Sequence, residues 1–184
     1  MRLLPFALAL FALGCARNEP MPFELTPAEI RQARDLAEAL EPLADLRLES
    51  PQMRIVFIKA ERLPGAEAAS GERQVMLQHY RYRDDTTVFT HIDLNLQEVV
   101  KQELAAHYPT GLSEEETRRA LELARSDDRL RTIIEAQDLR LVPRPLQTLE
   151  HHRVVQLLLQ RGTESLVEPR VRVDLTEERV IVGD

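Results

Sequence analysis

The chain has 184 residues, 43% hydrophobic and 30% charged, with 4% aromatics and no tryptophan. That is a soluble globular balance with an aliphatic core, enough for one ordinary domain or two small ones. A formal net charge of −7 disfavours nucleic acid and anionic lipid surfaces, and the single cysteine excludes an intrachain disulfide or a thiolate metal cluster.

Arg2 gives a short positive start, and Leu3 to Leu13 follow as 11 apolar residues. A membrane span needs about 20, so this length suits the core of a signal peptide. It ends in Ala12-Leu13-Gly14-Cys15. These residues resemble the lipobox of bacterial lipoproteins, although Ala12 and Leu13 stand where Leu and a small residue are commoner. The resemblance implies cleavage between Gly14 and Cys15 and lipid attachment at Cys15. Residues 1–14 are then a lipoprotein signal peptide, and residues 15–24 a lipidated tether. Ala16 after the cysteine resembles the class sorted to the periplasmic face of the outer membrane.

Leu25-Thr26-Pro27-Ala28-Glu29-Ile30 is a helix start, with Thr26 as cap, Pro27 at the first helical position and Glu29 closing a capping box. Ile30, Ala33, Ala37 and Leu40 repeat at helical spacing, Leu36 widens the stripe, and Pro42 should end it. Strands are expected at Arg54 to Ala60, Arg73 to Arg83 and Thr86 to Leu94, with a turn at Asp84-Asp85 and a short return strand at Val99-Val100, for which the alternative is a helix over Leu94 to Ala106. Tyr108 to Gly111 reads as a linker. Ser113 and Glu116 make a second capping box, and Ser126-Asp127-Asp128 breaks the following helical pattern and caps a new helix. Strands resume at Leu139 to Val142, Val154 to Gln160, Val171 to Leu175 and Val180 to Val182.

The halves resemble each other. Ile92-Asp93-Leu94 parallels Val173-Asp174-Leu175, 81 residues on, and each is followed by polar residues and then two β-branched ones, Val99-Val100 and Val180-Ile181. Arg73-Gln74-Val75 stands in a similar relation to Arg153-Val154-Val155. The expected fold class is therefore α+β: two units, each a helix packed on an antiparallel sheet, over residues 25–110 and 111–184. Asp93 and Asp174 should share a structural task, such as holding a turn.

Leu25 to Ile30, His91 to Leu94, Leu112 to Glu116, Leu123 to Arg129 and Val173 to Leu175, in that order, resemble the two small N-terminal domains of copper amine oxidases. The resemblance implies that both units are cystatin-like. It does not carry over the activity. That family's chemistry lies in a large C-terminal domain, with an Asn-Tyr quinone precursor and three copper histidines. No Asn-Tyr pair occurs here, and Tyr80, Tyr82 and Tyr108 do not fit that context. The cystatin inhibitory loop has no counterpart either, since Gln74 to Gln78 lacks its pattern.

No catalytic residue, resident cofactor or metal site is expected. The histidines nearest to a metal-site pattern are His79 and His91, on neighbouring strands that could bring them together, and His151-His152, which as strand neighbours point to opposite faces. Glu114 to Glu116 and Asp127-Asp128 sit at helix starts, where the dipole favours negative charge. The expectation is an envelope lipoprotein, membrane-bound through its lipid, acting as a non-enzymatic module for a protein partner. The alternatives are an accessory subunit of a copper amine oxidase or related envelope redox enzyme, and a small-molecule or metal carrier.

Overall fold

The computed structural model describes residues 24–41, 43, 54–63, 73–146 and 152–183. Gly14, Cys15 and His151 lie outside them. Helix α1 (Pro27–Glu38) begins with the expected capping box: the Thr26 hydroxyl accepts from Glu29 N, and Glu29 Oε2 accepts from Thr26 N at 2.8 Å. It ends at Glu38, before Pro42 is reached. Leu40 therefore leaves the apolar stripe and is 45% exposed, while Leu43 takes up a fully buried place.

Strands β1 (Ile55–Arg62), β2 (Gln74–Arg81), β3 (Thr86–Asp93) and β4 (Glu98–Ala106) form one antiparallel sheet in chain order. Asp85, in the left-handed region at φ 48°, turns β2 into β3 after a 3₁₀ turn over Tyr82–Asp84. β4 runs well beyond the expected Val99-Val100. Its partner β3 offers an eight-residue ladder, from Asp93 opposite Glu98 to Thr86 opposite Ala106, and cross-strand pairing overrides the weak strand preference of Lys101 to Ala106.

Helix α2 (Glu114–Ser126) is followed at once by α3 (Asp128–Gln137), because Asp127 breaks the first and caps the second through Oδ1, which accepts from Arg129 N and Leu130 N. The second sheet contains β5 (Arg140–Leu146), β6 (Val154–Arg161), the two-residue β7 (Glu164–Ser165), β8 (Arg170–Asp174) and β9 (Arg179–Gly183). Its order is β5-β6-β8-β9, with β7 paired to β6. β5 continues past Val142 through Pro143 and Pro145, which an edge strand tolerates where a central one would not. β7, with only two residues, carries no pattern that a sequence reading could detect.

Three helices and two antiparallel sheets make the described part α+β. The repeated Asp residues do the same work in both sheets. Asp93 Oδ1 accepts from Asn95 N and Leu96 N, and Asp174 Oδ1 accepts from Thr176 N and Glu177 N. The turns end in Gln97 and Glu178, both at positive φ, and lead into β4 and β9. Leu94 N bonds back to Arg73 O, and Leu175 N to Arg153 O.

Two apolar clusters fill the interior. In one, Ala33 and Ala37 of α1 meet Val75, Leu77, Val88 and Ile92 on one face of the first sheet. The other joins Ala120, Ala124 and Leu130 to Val155, Leu157, Val171 and Val173 of the second sheet. It also takes in Val56, Tyr80 and Tyr82 from the first half. The first sheet is thus covered by α1 on one face and reaches into the second half's core from the other.

Candidate functional site

The charged centre of the molecule lies where the halves meet. Glu116, the capping-box residue of α2, is fully buried. Its carboxylate accepts from Ser113 N at 2.8 Å, from the Tyr82 hydroxyl at 2.8 Å, and from Arg153 twice, Nε at 2.7 Å and Nη2 at 3.0 Å. Arg153 Nη2 also donates to Gly111 O, and its guanidinium lies 4.4 Å from the centre of the Tyr80 ring. Three stretches of the chain, just before α2, just after β2 and just before β6, thus converge on one carboxylate. Burial pushes the Tyr82 hydroxyl well above its ordinary pKa, and the neighbouring Glu116 charge adds to this. Burial alone would lower Arg153, but its bonds to Glu116 outweigh that and raise it.

Beside this centre is a cavity of about 250 Å³, lined by Tyr80, Asp85, His107, Thr110, His152 and Arg153 among others. Its polar groups are cross-linked. The Tyr80 hydroxyl donates to Asp85 Oδ1 at 2.8 Å, His107 Nδ1 lies 2.7 Å from Asp85 Oδ2, and His152 Nδ1 lies 2.7 Å from Asp174 Oδ2. Burial raises the Tyr80 pKa, with Asp85 contributing. This chemistry is that of a polar joint held by fixed pairs. Arg153, Tyr80 and His107 had no functional signal in the sequence. The one trace was the repeated Arg73/Arg153 position.

A second, wider groove of about 710 Å³ runs along β1. Arg34 and Glu38 of α1 form one bank, Ser113, Glu114, Glu115 and Arg118 the other, and Ile55 to Ile58 form the floor. Arg34 Nε donates to Glu38 Oε1 at 2.9 Å, and its guanidinium sits 4.6 Å from the centre of the Phe57 ring.

The histidine pair suggested by the sequence does not form. His79 pairs with Val88, whereas His91 lies three residues further along β3 and pairs with Met76. An odd offset on a strand puts two side chains on opposite faces. His79 is fully buried on the α1 side, with Nε2 3.5 Å from Glu38 Oε1, and His91 faces the other way, 3.4 Å from Glu103 Oε2. His152 is committed to Asp174, and His151 lies outside the described residues. Among the described residues, no three of His, Cys, Asp and Glu are grouped so as to hold a metal ion. None of the described helices is long and apolar enough to cross a membrane.

No protein-family model matches the chain, and no curated protein matches it. Among solved structures it is similar to the copper-containing benzylamine oxidase of Hansenula polymorpha, with a TM-score of 0.55 and 14% identity. The likeness covers 88% of this chain and 29% of the oxidase chain, so this chain spans less than a third of that enzyme's length. At that identity the likeness is one of fold. It agrees with the resemblance to the small oxidase domains drawn from sequence motifs.

The two capping-box glutamates make a direct comparison. Glu29 pairs with Arg73 much as Glu116 pairs with Arg153, but the Glu29 and Arg73 side chains are 13% and 46% exposed. Glu116→Ala leaves a buried arginine uncompensated and should cost about 3–5 kcal/mol, whereas Glu29→Ala should cost about 1 kcal/mol or less. Urea unfolding of both variants measures the difference, and equal losses would contradict the role given to burial.

Stability should also fall in acid. The His79 ring, with Nε2 3.5 Å from Glu38 Oε1, is the main influence holding Glu38 below the ordinary value of 4.5, with Arg34 assisting. Burial alone would raise Glu29, but its bonds to Thr26 and the charge of Arg73 outweigh that and lower it. Carboxylates with lowered folded values stabilise the fold above pH 4.5, and this contribution is lost as pH falls through those values. Urea midpoints followed from neutral pH into that range should drop, and should drop less steeply in Glu38→Gln.

Proposed function

We propose that this chain is an envelope lipoprotein, anchored through lipid on Cys15 at the periplasmic face of the outer membrane, whose folded part is a non-catalytic module that binds a protein partner. The anchor rests on the sequence alone: Arg2, the apolar run Leu3 to Leu13, and Ala12-Leu13-Gly14-Cys15. The observation that carries the module reading is how the buried charges are used. Glu116, Arg153, Asp93 and Asp174 hold a cap, an ion pair and two hairpin turns. Groups tied in this way position a scaffold. Antiparallel sheets with open edges, in turn, offer the kind of surface on which extended segments of other proteins dock. The likeness to the benzylamine oxidase favours one second reading, an accessory subunit of a copper amine oxidase or related envelope redox enzyme.

Purification of the full-length protein from detergent-solubilised native membranes, beside a Cys15→Ser control, tests both parts. The wild type should carry lipid mass, sediment with membranes and bring a stoichiometric protein companion, whose identity separates the two readings. Cys15→Ser should leave the membrane fraction. A wild type without lipid would sink the anchor, and a lipidated protein that comes out alone would sink the module.

A further inference from the structure

An unprotected sheet edge is a template for another strand, and proteins blunt edges with prolines, charges, bulges or brevity. Besides the two-residue β7, the two sheets have four outer edges among the described residues. β5 carries Pro143 and Pro145, and β9 has only five residues. β4 carries Glu98, Lys101 and Glu103, and its pairing with β3 slips at a bulge. β1 differs at its start, where Ile55-Val56-Phe57-Ile58 are four apolar residues without charge or proline. Its irregularity comes only after Phe57.

The ladder shows which backbone groups remain open. Tyr82 N donates to Arg54 O at 2.9 Å, so Arg54 and Tyr82 form a hydrogen-bonded pair. Antiparallel pairs alternate, so Val56 opposite Tyr80 is bonded, while Ile55 opposite Arg81 and Phe57 opposite His79 are not. The N–H and C=O groups of Ile55 and Phe57 therefore point away from β2, toward the groove. No turn or side-chain hydrogen bond takes them up among the described residues.

The groove banks add side-chain chemistry. Arg34 and Glu38 neutralise one another on the α1 bank. On the α2 bank, Glu114 has no ion pair among the described residues, Glu115 is met only by Arg54 at 3.9 Å, and Arg118 points its charge at Glu122 at the same distance. That bank is left negative.

We infer that β1 and the groove beside it are the docking site for an extended segment of a protein partner. The segment adds a fifth strand to the first sheet through the backbone of Ile55 and Phe57, and it carries a basic side chain opposite Glu114 and Glu115. A backbone ladder accepts an extended polypeptide, and the negative bank selects the sign of its side chain. The inference rests on the interaction-module reading and names the surface that reading uses.

Residue-resolved amide exchange on the full-length lipidated protein in detergent, alone and with its co-purified companion, tests it. In the isolated protein the Ile55 and Phe57 amides should exchange freely, and in the complex they should slow by about a hundredfold or more. Glu114→Lys with Glu115→Lys, both at the surface, should cut companion recovery about tenfold, while Leu104→Lys on the distant β4 edge should leave it unchanged. A companion that binds without protecting those amides, or that ignores the charge reversal, would overturn the groove and leave the module reading standing. Protection already present in the isolated protein would assign the edge to this chain itself. If that protection rose with concentration, the occupant would be a second copy. Either result overturns the inference. Absence of any companion would overturn both readings together.

Discussion

One buried carboxylate holds the two halves in a fixed relation. Glu116 starts α2 as the acceptor of a capping box, and the same side chain receives Arg153 from the approach to β6 and Tyr82 from the turn after β2. A charge removed from water is tolerated only when paired and fully hydrogen-bonded, and Glu116 meets that condition with donors drawn from both halves. Removing any one donor leaves the others around an under-satisfied charge. The first sheet, α2 and the second sheet are therefore locked to one another at a single point, and the apolar cluster containing Val56, Tyr80 and Tyr82 closes around it.

The same design occurs twice with different burial. In each half a Ser or Thr cap, a glutamate three residues on, an arginine just before a strand and an Asp-Leu turn form a connected set: Thr26, Glu29, Arg73 and Asp93-Leu94, then Ser113, Glu116, Arg153 and Asp174-Leu175. In the first half the ion pair lies near solvent. In the second it is the centre of the interface, because the first sheet packs over it. Asymmetry between the copies also explains the groove: β1 lies between α1 and the first turn of α2, so its outer edge, open among the described residues, is framed by both helices.

Much of this was legible in the sequence where chemistry is local. Capping boxes, the Asp127 break, the Asp85 turn and the paired Asp-Leu hairpins all follow from residues within four positions of one another, and each is where its spacing placed it. Strand length was less legible. β4 and β5 extend beyond their apolar stretches because a partner strand, not their own composition, sustains them. The end of α1 was also missed, since Leu40 keeps the helical spacing although the helix has already stopped. The candidate site was the least legible part. Glu116 and Arg153 are 37 residues apart, and nothing local distinguishes a surface capping glutamate from one buried under another sheet. Proximity along a hairpin alone does not decide whether His79 and His91 meet; strand parity does, and sends them to opposite faces.

The proposed docking at β1 requires a frame that stays fixed, and here the frame is the junction around Glu116. The most direct test is native-state hydrogen exchange of the central strands, comparing Val75 and Val88 of the first sheet with Val155 and Val173 of the second. If the shared cluster and the buried ion pair make the halves one cooperative unit, all four amides should exchange with the same opening free energy, equal to that of global unfolding. Two distinct opening energies, with one sheet exchanging while the other stays protected, would contradict the account.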